Sequence, residues 1–158
     1  VTDPRAISQP SIPTDLAERM ARSTPQSAAL GLRAVAVGPD WAVMAAPWRA
    51  DLVGDPESGI IAGGVVTTLL DQTCGLAVSS KAHSEGRLTG LATLDLRIDY
   101  MRGAEPGKEI FARAHCYRLT RSIGFVRAAA YEHDEADPVA TAQAAFALTA
   151  APSGQARS

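Results

Sequence analysis

Residues 59–77 read GIIAGGVVTTLLDQTCGLA, and the rest of the chain is organised around this stretch. Gly63 and Gly64 open it, an apolar run follows, and one carboxylate, Asp71, sits in its middle. At 100° per residue Val66, Leu69, Leu70, Thr73 and Ala77 share one side of a helix, and Thr67, Thr68, Asp71 and Gly75 the other. The spacing therefore predicts a helix that is apolar over most of its girth, with a narrow stripe of small and polar side chains. Such a helix belongs inside a protein. A carboxylate, two threonines and several glycines argue against a membrane span, although the run is about long enough. An unpartnered carboxylate inside a protein is costly, so Asp71 either bonds neighbouring backbone or serves a reaction.

The chain has 158 residues, enough for one domain with a real core and too few for two comfortable ones. Hydrophobic residues make up 46% and charged residues 20%, a globular balance rather than a disordered one. A formal net charge of −2 gives no electrostatic footprint for nucleic acid. Cys74 and Cys116 lie in apolar segments without metal-ligand spacing, and read as buried thiols of a reducing compartment. No basic segment followed by an apolar block opens the sequence, so the expected location is the cytoplasm.

Outward from residues 59–77 the expected organisation is an N-terminal extension over 1–30, a main domain over 31–149 and a flexible tail over 150–158. Residues 1–12 are expected to wander. Pro13-Thr14-Asp15 starts a short helix through Arg22, which Ser23 to Gln26 break. Leu32 to Val37 and Trp41 to Ala46 read as a hairpin turning at Gly38-Pro39-Asp40, and Pro47 to Ser58 as a loop. Ser79 to Gly90 reads as polar and exposed, with His83 facing solvent. Four strands follow. Over Leu91 to Met101 the alternation sets Leu94, Leu96, Ile98 and Tyr100 on one face and Thr93, Asp95, Arg97 and Asp99 on the other. Lys108 to Leu119 aligns Ile110, Ala112, Ala114 and Cys116. Gly124 to Glu132 aligns Val126, Ala128 and Ala130. Val139 to Leu148 aligns Ala140, Ala142, Ala144, Phe146 and Leu148. Three consecutive strands with small residues on one face can approach a thick object closely, and the chain offers one long apolar helix. The expected class is α+β, an antiparallel β-sheet wrapped around one long central helix. One helix covers only part of a curved sheet, so a second copy of the chain is expected to complete it.

This order, with these residues, resembles the hotdog-fold thioesterases, and among them the PaaI-like acyl-CoA thioesterase family, from about Leu52 to Leu148. The family motif is a Gly, then His-Gly-Gly, then a hydrophobic helix bearing an Asp; here it stands as Gly59-Ile60-Ile61-Ala62-Gly63-Gly64 with Asp71. The later family strand corresponds to TLDLRIDYM from Thr93. Two positions depart from the pattern. Ala62 replaces the family His, and Asp55-Pro56-Glu57 stands where members often carry an Asn.

The resemblance implies a hydrolase of acyl-CoA thioesters that needs no metal or redox cofactor, coenzyme A being part of the substrate. The tetrahedral oxyanion must meet preorganised donors. A helix N-terminus supplies free N–H groups and positive dipole, and glycines let a carbonyl approach. By resemblance the Gly63 N–H is the oxyanion donor, with Gly64 beside it in the catalytic set, and Asp71 acts as general base or as nucleophile forming a mixed anhydride. Thr93 aligns with a hydroxyl that orients water in some relatives; its other reading is an ordinary strand threonine. Ala62 and Gly75 border the acyl group. Arg102, Arg118, Arg121 and Ser122 are candidates for the coenzyme A phosphates, or else a solvated strand edge. The implied assembly is a homodimer, extending to a dimer of dimers, with neither nucleic acid nor membrane as partner. The alternative is a hotdog dimer that binds acyl-CoA without turnover, which the missing histidine favours. A hydratase would want a catalytic histidine; His83, His115 and His133 all lie off the central helix.

Overall fold

The computed structural model describes residues 14–87 and 89–150. The segment 1–12 expected to wander, the helix-starting Pro13 and the tail 151–158 lie outside the described residues. Two short helices come first, α1 (Thr14–Ala21) and α2 (Pro25–Leu30). Residues 23–26 therefore do more than break the first helix. Thr24 caps the second, its Oγ1 accepting the Ser27 N–H at 3.2 Å, with Pro25 in the first turn. Gly31 ends it at φ 72°, a left-handed conformation natural to glycine.

Strands β1 (Arg33–Val37) and β2 (Trp41–Ala46) form the expected hairpin. The loop after it contains a 3₁₀ turn (Ala50–Leu52) and a small ladder of β3 (Val53–Asp55) and β4 (Ile60–Ile61). The long helix α3 (Gly63–Ser84) follows, then β5 (Thr89–Tyr100), β6 (Ile110–Leu119), β7 (Ile123–Tyr131) and β8 (Ala140–Ala150). The six long strands form one antiparallel sheet in the order β1-β2-β6-β7-β8-β5. This sheet around one long helix is the hotdog arrangement. Residues 103–107 do not close a hairpin: β5 lies at the far edge against β8, while β6 pairs with β2 and β7.

The concave face is lined by small side chains. Ala42, Met44 and Ala46 of β2, Ala112 and Ala114 of β6, Val126 and Ala128 of β7, and Ala142 and Ala144 of β8 are all buried. Val66, Leu69, Leu70, Thr73 and Ala77 of α3, the side assigned to the core, are buried as well. Beta carbons of alanine let the sheet close tightly on the helix, and at Gly124 even that atom is too much. A Cβ there would lie 2.6 Å from Val78 Cγ1.

Two expectations fail in this region. Residues 79–84, expected to be polar and exposed, are the last turns of α3 and are partly buried. Ser80 and Ala82 are buried, and the Ser80 hydroxyl donates to the Gly38 carbonyl at the β1–β2 turn. The segment looks polar because Ala82, one turn on from Val78, is its one apolar residue. The second failure is a register shift in β5. Thr93 pairs with Phe146 but Asp95 with Ala145, so one extra residue is inserted between them. Leu94 bulges out, 59% exposed, instead of joining the core. The insertion sets Thr93 on the same inner face as Leu96, Ile98 and Tyr100.

Candidate active site

The narrow polar stripe of α3 faces the open seam of the curled sheet. Asp71, Gln72, Gly75, Leu76 and Ser79 line one side of a cavity of about 310 Å³. Leu91, Thr93 and Phe146 of β5 and β8 line the second side, and Met20, Ala21, Ser23 and Thr24 close it from the elbow between α1 and α2. Asp71 is half-buried. Its Oδ1 accepts a hydrogen bond from the Thr93 hydroxyl at 2.9 Å, and among the described residues Oδ2 has no partner. That bond exists only because of the β5 bulge. It holds the carboxylate at the cavity wall. Gly75, one turn along α3, would place a Cβ 3.5 Å from Phe146, so its missing side chain is part of the cavity volume.

The start of α3 is a second part of the same face. Ala62 is the residue before the helix and offers no side-chain cap. Its carbonyl accepts the Val65 N–H at 2.9 Å, and its own N–H is bound to the Leu52 carbonyl at 2.9 Å. Gly63 and Gly64 are exposed. As the first helical residues they have no carbonyl one turn back to bond, and their N–H groups carry the positive end of a 22-residue helix. The Tyr100 hydroxyl donates to the Gly63 carbonyl at 2.7 Å and lies 2.9 Å from Thr67 Oγ1. Sequence reasoning set Tyr100 in a strand and gave it no role. The signal was faint: its face, shared with Leu96 and Ile98, was legible, but not that the last residue of the strand reaches the start of α3.

The four residues proposed for coenzyme A divide. Arg102 is not a presented cation. Its guanidinium donates twice to the buried Glu132 carboxylate, at 3.0 and 2.6 Å, and also to the carbonyls of Gly103 and Asp137. Glu132 accepts the Glu105 N–H as well. Burial pushes the Glu132 carboxyl up, but the Arg102 fork and that N–H outweigh it and hold the group below its ordinary value. This network ties residues 102–105 to the β7–β8 turn. Arg118, Arg121 and Ser122 are exposed at the β6–β7 turn. Arg87, just past α3, donates to the carbonyls of Thr120 and Arg121, which puts this turn at the helix end opposite Gly63.

Other reactive side chains point elsewhere. Cys74 and Cys116 are free and buried; burial pushes the Cys116 thiol up to about 11 and Cys74 higher still, the Asp71 carboxylate adding to the latter. His83 is exposed as expected, His115 lies 3.4 Å from Asp40, and His133 lies 2.8 Å from Glu105. Among the described residues no three His, Cys, Asp or Glu side chains gather as metal ligands, and no helix is long and apolar enough to cross a membrane.

Comparison with known proteins bears on the same region. The profile of the thioesterase superfamily matches residues 58–138, from the turn before α3 through β7. A Pseudomonas aeruginosa protein of known structure is 36% identical over 85% of this chain and 98% of its own, with a TM-score of 0.76. A second conserved Pseudomonas aeruginosa protein is 30% identical over 81% of this chain and 98% of its own, with a TM-score of 0.70. A single-site variant of the phenylacetic acid degradation protein PaaI from Thermus thermophilus is 27% identical over 78% and 98%, with a TM-score of 0.66. No curated protein sequence matches the chain.

Proposed function

Since the chain belongs to the thioesterase superfamily, we propose that it hydrolyses acyl-CoA thioesters to free acid and coenzyme A, with Asp71 as the carboxylate of the reaction. The observation that carries this reading is the Thr93–Asp71 hydrogen bond at the wall of a cavity. The acyl group lies along Gly75, Leu76, Leu91 and Phe146. Asp71 Oδ2 takes a proton from water as the water oxygen bonds to the thioester carbon. The carbonyl becomes an oxyanion held by N–H groups at the start of a helix. When the intermediate collapses, the carbon–sulfur bond breaks and the proton passes to the departing sulfur. In the nucleophilic variant Oδ2 itself bonds to the carbon, expelling the thiolate, and water then opens the anhydride. Arg118, Arg121 and Ser122 are the candidates for the phosphates; Arg102 is spent on Glu132.

One helix cannot supply both parts to one carbonyl. Gly63 and Asp71 are eight residues apart, roughly 12 Å along the axis at about 1.5 Å per residue. A two-fold partner with its α3 antiparallel brings Gly63 of one chain to Asp71 of the other, twice. The β5 edge supports such a partner. It is a 12-residue edge strand, and Leu94 and Tyr100 on it and Met101 beside it are 59%, 50% and 58% exposed. A long edge with apolar side chains is a template for another strand, and a second copy is the self-complementary one.

Thiol release from a panel of acyl-CoAs, aromatic and medium-chain groups included, tests the reading. Hydrolysis of at least one member is expected. Binding without release would instead favour the non-catalytic acyl-CoA-binding protein that Ala62, in place of the family histidine, suggests.

A further inference from the structure

We infer that Tyr100 is a positioning residue for the oxyanion-binding end of α3, an inference that rests on the hydrolase reading above. Tyr100 ends β5 on the same inner face as Leu96 and Ile98, which turns its side chain toward the helix. Its hydroxyl donates to the Gly63 carbonyl at 2.7 Å. A tyrosine hydroxyl has one proton, and this short bond uses it. Thr67 Oγ1 stands 2.9 Å from the tyrosine oxygen and 3.1 Å from the Gly63 carbonyl, and its own proton serves either. The three groups form a closed cluster on one peptide oxygen.

The rigidity of the peptide gives this cluster a consequence for the donors. The Gly63 carbonyl and the Gly64 N–H sit on opposite edges of one plane. A hydroxyl that fixes the first aims the second. The plane before it, which bears the Gly63 N–H, is fixed by the chain itself, because the Ala62 carbonyl accepts the Val65 N–H. The Gly63–Gly64 plane joins two residues without side chains, and within the helix its carbonyl is met by Thr67. Tyr100 is the group outside the helix that restrains it. Hydrogen bonding to the carbonyl also polarises the peptide, which makes its N–H a stronger donor. A Cβ on Gly63 would lie 3.3 Å from the Tyr100 hydroxyl, so the same contact limits what can stand at position 63.

Tyr100→Phe keeps the ring and removes the clamp. The expected result is a fall in kcat of about tenfold, less than removal of an oxyanion donor costs, with KM within about twofold. The melting temperature should stay within about 4 °C of wild type. The amide proton resonance of Gly64 should move, and that of Gly63 should hold. An unchanged kcat overturns the inference. So does a loss of kcat that comes with a matching loss of melting temperature, since that marks a structural role. If the wild-type protein releases no thiol from any acyl-CoA, the hydrolase reading fails by that result alone. The positioning claim is then decided by the spectrum: a Gly64 resonance that stays in place overturns it.

Discussion

Asp71 shows how much of a catalytic proposal one residue can bear. Its carboxylate stands half-buried on a helix whose other faces are core, and it receives one hydrogen bond, from Thr93. Asp71→Asn keeps the shape and removes the base or nucleophile. Turnover should fall at least about a hundredfold while acyl-CoA still binds. The measurement is steady-state thiol release beside a binding isotherm, and wild-type turnover in this variant would end the assignment. Asp71 was legible in the sequence because a lone carboxylate in an apolar helix is conspicuous. Its partner was less so. Thr93 came from family resemblance, and strict alternation set it on the wrong face. One inserted residue reverses the facing of everything beyond it, and the pattern of side chains alone does not reveal where a strand takes that extra step. Arg102 failed for a related reason. A sequence shows a cation, but not the buried carboxylate from another strand that claims it.

At the scale of elements, the α1–α2 elbow closes one side of the cavity with Met20, Ala21, Ser23 and Thr24. It is held from both ends: Ala17 and Ala21 are buried in the core, and Arg49 donates to the Ala29 carbonyl at 3.0 Å. Met20 stands on this wall of the cavity opposite Gly75 and Leu76 of α3, so its size bears on the acyl group that fits. Met20→Ala should move the preferred acyl length upward and Met20→Trp downward, read as kcat/KM across a chain-length series. An unchanged profile in both variants would show that the elbow does not meet the acyl group. The Arg102–Glu132 network acts at the same scale, pinning the chain between β5 and β6 to the β7–β8 turn. Glu132→Gln should cost about 2 kcal/mol in denaturant unfolding, because charge-assisted bonds to a buried group are lost. The Glu132 carboxyl is held low in the folded protein, so its contribution is present above the ordinary carboxylate pKa and is lost as pH falls through the folded value. Wild type should therefore lose stability on acidification more steeply than Glu132→Gln. Parallel stability–pH curves would refute that account.

For the whole molecule, the strongest test is complementation. Gly63→Pro deletes one N–H donor at a helix start, and Ala62 at φ −59°, ψ 136° already has the extended backbone a following proline requires, while the Tyr100 hydroxyl, 3.3 Å from a Cβ there, has to give way. Asp71→Asn and Gly63→Pro should each be inactive alone. When unfolded and refolded together in equal amounts, about half the dimers are mixed and roughly a quarter of all sites carry both native parts. Activity near a quarter of wild type is expected; none, from variants that fold and form mixed dimers, would refute the shared site.

By itself the sequence determined the parts: a helix with one core side and one polar stripe, alanine-faced strands, a buried pair of thiols and a carboxylate in a conspicuous place. Local periodicity and side-chain size carry that information, since each is set within a few residues of the chain. The tertiary structure decided what meets what. It sent β5 to the far edge of the sheet, turned Thr93 inward to Asp71, stretched α3 to Ser84, bound Arg102 to Glu132 and brought Tyr100 to the Gly63 carbonyl. Each of these joins residues far apart in the chain, or hangs on a single inserted residue. Only the closed packing of the sheet around its helix fixes such pairings.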